Sequence, residues 1–229
     1  MSSLFTPSLF SFLRQLAENN ERPWFKANQA RFEEVVRQPA LDFISEFADT
    51  LRVVSPHFVA DARKVGGSLF RIQRDTRFGS DKTPYKTHVG IHFRHVVTKD
   101  DVHAPGFYLH LEPRASFAAL GMWRPSTADA TSIRGAIAGD PGAWSEAAYS
   151  ADFTARYGEL EGESLKRLPR GFDAHHPLVE DLKRKDFIAS TRFTQADVTS
   201  PRFLDTYAST VHIGARFMQF LCRALDLGF

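Results

Sequence analysis

The chain has 229 residues, 43% hydrophobic and 24% charged, with a formal net charge of +2 and a mean hydropathy of −0.29. That balance describes an ordinary globular domain and excludes collagen-like, low-complexity and strongly charged disordered classes. The single cysteine, Cys222, excludes an intrachain disulfide, and no apolar run approaches the ~18 residues of a membrane span.

No long Pro/Gly/Ser-rich linker divides the sequence, so residues 1–229 read as one domain. The opening MSSLFTPSLFSFLRQL lacks a basic n-region and a small-residue cleavage site, so the expected location is cytoplasmic. Thr6 and Pro7 predict a helix start, a capping hydroxyl followed by Pro at the first helical position. Leu9, Phe12, Leu13 and Leu16 then form an apolar stripe at helical spacing, ended by Asn19 and Asn20. Pro23 opens a second helix with Trp24, Phe25, Phe32, Val35 and Val36 on its stripe. Pro39 opens a third, through Leu41, Phe43, Ile44, Phe47 and Leu51, closed by Pro56.

Gly66 and Gly67 break the helical run, and Ser68–Arg74 alternates as a strand does. Turn residues make Asp75–Pro84 a loop. His88–Val97 is the cleanest strand, followed by a polar connection over Thr98–Pro105. A third strand carries Phe107, Leu109 and Leu111, and a fourth covers Ala115–Leu120. Ser126 and the pair Asp140-Pro141 predict two helix starts. Phe153–Phe172 is ambiguous, Pro177–Lys185 suggests a short helix and Asp186–Phe193 a strand. Ser200-Pro201 caps one long final helix. The fold class is therefore α+β: a mostly antiparallel sheet with helices packed on one face and helical segments at both termini.

Strand parity assigns the two faces of that sheet. Phe70, Ile72, Val89, Ile91, Phe93, Phe107, Leu109 and Leu111 fall on the core side. Arg71, Gln73, His88, His92, Arg94, Tyr108, His110 and Glu112 fall on the other, with Gly90 leaving room among them. Five of those eight polar positions are Arg or His and none is Thr, Ser or Lys, which suits a ligand cleft better than a solvated surface.

Charge points to the same stretch. Arg63–Arg94 holds eight Lys or Arg against Asp75 and Asp81, an excess of six in a chain whose total is two. A focused positive field attracts anions, so the expected partner is a small, phosphate-bearing anionic ligand. Arg71, Arg77, Lys82 and Lys86 would hold it. His88, His110 and Glu112 would orient it or move protons, Tyr108 belongs to the ligand-binding set, and Trp123 and Arg170 would line the rim. Asp75 and Asp81 offer the competing outcome, internal pairing that pins the loop.

Other chemistries fit less well. His110 and Glu112 with His88 or His92 would make a sufficient metal set, but the neighbouring arginines disfavour a cation. No metal and no cofactor are expected. His110 with Glu112 is a candidate general acid–base pair, and the sequence names no reaction. Neither GxSxG nor a phosphate-cradling glycine loop before a helix is present. The rival class is nucleic-acid binding, with Phe70, Phe78, Tyr85, Phe93 and Tyr108 as a stacking platform among the basic residues. With only +2 overall, that binding is expected to be weak and salt-labile. An interaction module without chemistry is the third class, and no membrane partner is expected.

The string FRIQRDTRFGSDKTPYKTHVG, with PGFYLHLEP, GMWRP, LKRLPRGF, HHP and the earlier RPWFKANQARFEE, closely resembles the domain of unknown function 2461 (DUF2461). The resemblance runs from about Phe5 to Phe220. It implies a bacterial and fungal family of soluble single-domain proteins and carries no activity with it.

Overall fold

A computed structural model describes residues 3–77 and 81–229. Helix α1 (Pro7–Glu18) begins at the expected proline, although the Thr6 side chain makes no capping hydrogen bond. The second expected helix is broken in two at Asn28, giving α2 (Arg22–Ala27) and α3 (Gln29–Phe32). A π-helical turn, Glu33–Arg37, then runs straight into α4 (Gln38–Val54), so Pro39 sits in the first turn of a continuing helix rather than after a gap. Proline removes one backbone donor from a helix, and the π turn just before it is where the regular i→i−4 pattern is already interrupted.

Five strands follow: β1 (Phe58–Val59), β2 (Val89–His95), β3 (Gly106–Leu111), β4 (Ser116–Met122) and, after four helices, β5 (Phe187–Phe193). They pair in the order β1-β2-β3-β4-β5, every neighbour antiparallel. Between β4 and β5 lie α5 (Thr127–Gly139), α6 (Pro141–Tyr149), α7 (Ala151–Tyr157) and α8 (Val179–Leu182). Ser126 and Asp140 cap α5 and α6 as their sequence positions predict, accepting from the N–H groups of Asp129 and Ala143. After β5 come α9 (Gln195–Val198), α10 (Phe203–Ile213) and α11 (Ala215–Ala224). The expected single final helix is thus two. Its break falls at Gly214, where a β-carbon would stand 2.0 Å from Leu120 Cδ2 on β4, so the chain bends at its closest approach to the sheet.

One sheet face carries the core. Phe93 and Phe107 are fully buried, and Phe47 of α4 meets Phe93 at 5.0 Å between ring centroids. Tyr207 of α10 meets Phe43, Phe47 and Phe93. Each fully buried aromatic side chain contributes roughly 1.5–3 kcal/mol of transfer free energy. Among the described residues no helix is long and apolar enough to cross a membrane.

The segment after the glycine pair departs from its predicted strand. Residues 68–73 make only isolated bridges, Leu69 to Ile91 and Gln73 to Tyr85. Phe70 N donates to Gly90 O and His92 N to Ser68 O, so this segment lies along the outer edge of β2, beside the stretch that β1 occupies. Because it twists between bridges instead of running as a regular strand, parity does not hold along it. Ile72 is buried in the core, but Phe70 lies on the opposite, polar face.

Candidate functional site

The polar face is built on β2 and β3, whose register places Gly90 opposite His110 and His92 opposite Tyr108. Two glycines make room for these rings. A β-carbon at Gly106 would lie 2.0 Å from His92 Nε2, and one at Gly90 would lie 2.7 Å from the Tyr108 hydroxyl. Both contacts are far inside van der Waals range, so no larger residue fits while these rings keep their places.

Tyr108 and His110 of β3 and Glu112, just past its end, form a hydrogen-bonded chain. Glu112 Oε2 lies 3.1 Å from His110 Nε2, and His110 Nδ1 lies 3.1 Å from the Tyr108 hydroxyl. A carboxylate only accepts, so Nε2 carries the proton and donates to Glu112, leaving Nδ1 to accept from the Tyr108 O–H. Thr87 Oγ1 donates to the other Glu112 oxygen at 3.2 Å. His110 is held between two rings, with His88 stacked at 4.3 Å and Phe117 at 4.7 Å. Such a chain can relay a proton between Tyr108 and the His110–Glu112 pair.

The environment tunes these groups. Burial, and then the nearby His110, push His88 down to about 4. Burial and then Arg94 push His92 down to about 4 as well. Both rings are therefore neutral at pH 7. Burial, reinforced by Glu112, raises the Tyr108 phenol above its ordinary range, so it stays a hydrogen-bond donor.

The basic cluster divides into three groups. Arg77 makes a two-point contact with Asp75, Nε to Oδ1 at 3.0 Å and Nη2 to Oδ2 at 2.7 Å, and this holds the Asp75 carboxyl far below the usual range. Arg74 pairs with Asp81 at 2.7 Å, and Lys82 Nζ donates to the Thr76 carbonyl at 2.8 Å. Lys86 Nζ donates to the Arg71 carbonyl at 3.0 Å and lies 5.2 Å from the centre of the Phe70 ring. Burial, then Arg71 and Arg74, lower the Lys86 ammonium. The third group lines a cavity of about 390 Å³, where Lys64, Arg71 and Arg94 meet the backbone of Gly66 and Gly67 and the ring of His88. Among the described residues, Lys64 and Arg71 have no side-chain hydrogen bond or ion pair. Arg94 donates from Nη1 to the Lys99 carbonyl at 2.7 Å, while its buried Nε has no partner.

Of the residues singled out from sequence, Arg71 and His88 therefore share one cavity. Tyr108 and Trp123 line a second, of about 440 Å³ and mostly apolar, together with Phe70, His92 and Phe117. Arg170 is exposed, on the connection between α7 and α8, and lines neither cavity. Phe78, Gly79 and Ser80 lie outside the described residues. Two of the rings proposed for base stacking are enclosed: Phe93 is fully buried, and Tyr85 is buried against Phe25 at 4.1 Å.

Sequence reasoning left Lys64 out of the ligand set, although it lies inside the basic stretch. It also missed Phe117, whose position opposite in parity to Ala118 and Leu120 was the available signal. The reciprocal clamp between Asn20 and the Tyr85 backbone, at 2.9 and 3.0 Å, anchors the loop to the connection between α1 and α2 and has no local sequence signature.

Comparison with curated proteins and with solved structures finds no match. The family described as conserved hypothetical protein DUF2461 matches residues 8–220. A match over that length, spanning every element that builds the polar face, makes this chain a member of the DUF2461 family.

Proposed function

We propose that the protein binds a small phosphate-bearing anion in the cavity lined by Lys64, Arg71 and Arg94. The observation that carries this reading is the difference between the cations. Among the described residues, the cations of the 74–82 loop have acidic or carbonyl partners, whereas the side chains of Lys64 and Arg71 face the cavity without one; Arg94, bound to the Lys99 carbonyl, also lines the cavity and keeps its buried Nε unpaired, as Arg74 does on the loop. A buried unsatisfied donor costs roughly 1–3 kcal/mol, and an anion supplies its acceptor. Guanidinium groups recognise phosphate by paired hydrogen bonds, and the Gly66–Gly67 backbone lets a ligand come close. Lys86 supports the wall through the Arg71 carbonyl and the Phe70 ring. Arg77 and Lys82 serve the loop, so the reading shifts the ligand set from them to Lys64 and Arg94.

A thermal-shift screen against phosphate, nucleotides and carboxylates tests this. A ligand at ~100 times its Kd adds about 2.7 kcal/mol of stability. Phosphate compounds are expected to raise Tm in the wild type and in Arg77→Ala, and to do so far less in Arg71→Ala and Lys64→Ala. A flat response to every anion, or an undiminished one in both cavity variants, rejects the site.

A further inference from the structure

We infer that His88, His110 and Glu112 form a binding site for a divalent first-row transition-metal ion. Each offers one ligand atom, and the three atoms lie within 4.8 Å of one another; His110 is on β3, Glu112 follows the end of β3, and His88 directly precedes the paired strand β2. Two imidazoles and one carboxylate suit zinc, iron(II) or manganese(II), and three protein ligands leave coordination positions open for water or substrate.

The geometry is close to formed. Donor atoms around a tetrahedral ion with bonds of ~2.1 Å stand about 3.4 Å apart. His110 Nε2 and Glu112 Oε2 already lie 3.1 Å apart. The other separations are no more than 4.8 Å, and turning the half-buried His88 ring about its side-chain bonds brings its nitrogen toward the pair. Among the described residues nothing holds that ring by a hydrogen bond; it stacks on the face of His110.

Outer partners are also in place. An ion on His110 Nε2 displaces the proton that Glu112 accepts. The neutral imidazole then carries its proton on Nδ1 and donates it to the Tyr108 oxygen, reversing that hydrogen bond. Metal-bound histidines characteristically donate their second ring N–H to an oxygen in this way. Thr87 fixes the second oxygen of Glu112. The arginines that argue against a cation from sequence are in part neutralised, Arg74 by Asp81 and Arg77 by Asp75. Lys86 remains near His88, as does Arg71, which is unpaired among the described residues, and their charge opposes the cation. His88 also lines the cationic cavity, so an ion here would present its open positions beside the proposed anion. The metal assignment rests on the triad alone and stands whether or not an anion binds.

The test uses the full chain, stripped with a chelator and returned to a non-coordinating buffer without phosphate. Zn²⁺ and Co²⁺ are titrated by calorimetry, with Co²⁺ absorption reporting the ligand geometry. One equivalent is expected in the wild type. His88→Ala and Glu112→Gln are each expected to weaken binding at least ~10-fold, and Tyr108→Phe, which keeps all three ligands, by about 10-fold or more with the Co²⁺ spectrum retained. Circular dichroism checks each variant, and Glu112→Gln, the more conservative change, decides if His88→Ala does not fold. Absence of a stoichiometric site for either ion overturns the inference. So does affinity unchanged by Glu112→Gln and His88→Ala, which would place the metal on other histidines such as His175 and His176.

Discussion

Strands β2 and β3 present two faces made from alternate residues of the same few positions, and the faces follow opposite rules. On one, Ile91, Phe93, Phe107 and Leu109 are fully buried under α4 and α10. On the other, Gly90, His92, Gly106, Tyr108 and His110 combine missing side chains with titratable rings. The core face gains stability by filling space. The polar face holds neutral histidines and a hydrogen-bonded carboxylate at a cost in desolvation. A strand that spends half its positions in this way has room for a ligand there, and its stability must come from the other half.

The sharpest way to break that comparison is to empty the core side. Phe93→Ala removes a ring in contact with Phe47 and Tyr207 and is expected to cost about 3–5 kcal/mol in urea unfolding. A loss below ~1 kcal/mol would mean that the helical layer is not what holds the sheet.

The polar face should instead answer to pH. His92 titrates at about 4 in the folded protein against an ordinary value of 6.5. The unfolded chain therefore takes up the proton first as pH falls. Between those values it binds more protons than the native state, so stability rises with pH across the window. The contribution is complete above ~6.5 and lost toward ~4, up to about 3 kcal/mol for a group this buried. Arg94 and the rings of Phe70 and Tyr108 surround His92, and of these only the Tyr108 hydroxyl is titratable, far above this window. Thermal midpoints at pH 7 and 4.5 should fall apart in the wild type and move closer together in His92→Gln. An equal drop in both would assign the acid sensitivity elsewhere.

How much of this was legible follows from regularity. In β2 and β3 the side chains alternate, so His88, His92, Tyr108, His110 and Glu112 could be placed on one face from sequence; the pairing register bears this out for His92, Tyr108 and His110, and the contacts of His88 and Glu112 with His110 put those two, just beyond the strand ends, on the same face. Residues 68–73 bond to β2 at isolated points, and Phe70 crossed to the face assigned to Arg71. Charge counting found the basic stretch but could not divide it. Which cations are consumed depends on the loop conformation that brings Arg74 to Asp81 and Arg77 to Asp75. The breaks at Asn28 and Gly214 were hidden for a related reason, since both lie inside apolar patterns that continue at helical spacing across them.

A smaller perturbation probes the space between the faces. Gly106→Ala sets a methyl group against His92 Nε2, and relieving such overpacking typically costs about 1–3 kcal/mol. Combining it with His92→Gly should recover most of the loss if the ring alone is the obstacle. If the loss persists in the double variant, the glycine serves the backbone and the steric account of the polar face is wrong.

The smallest effects should come from the loop cations, and this division decides between a pocket and a surface. Arg77 and Asp75 form an exposed pair, and such pairs add little to stability. Arg77→Ala is expected to leave Tm and the anion response where they are. A nucleic-acid surface would use the same residues differently. Phosphate contacts spread along a track release counterions, so each lost cation weakens binding and flattens its salt dependence. Mobility-shift titrations with single- and double-stranded DNA and RNA at two salt concentrations measure both quantities. Binding is expected no tighter than about 10⁻⁴–10⁻⁶ M at physiological salt, the non-specific range, with Arg77→Ala and Arg71→Ala nearly alike. Nanomolar binding that survives ~150 mM salt and falls in both variants would join the loop and cavity cations into one phosphate track. The separation between paired and unpaired charge, on which the pocket depends, would then have no functional meaning.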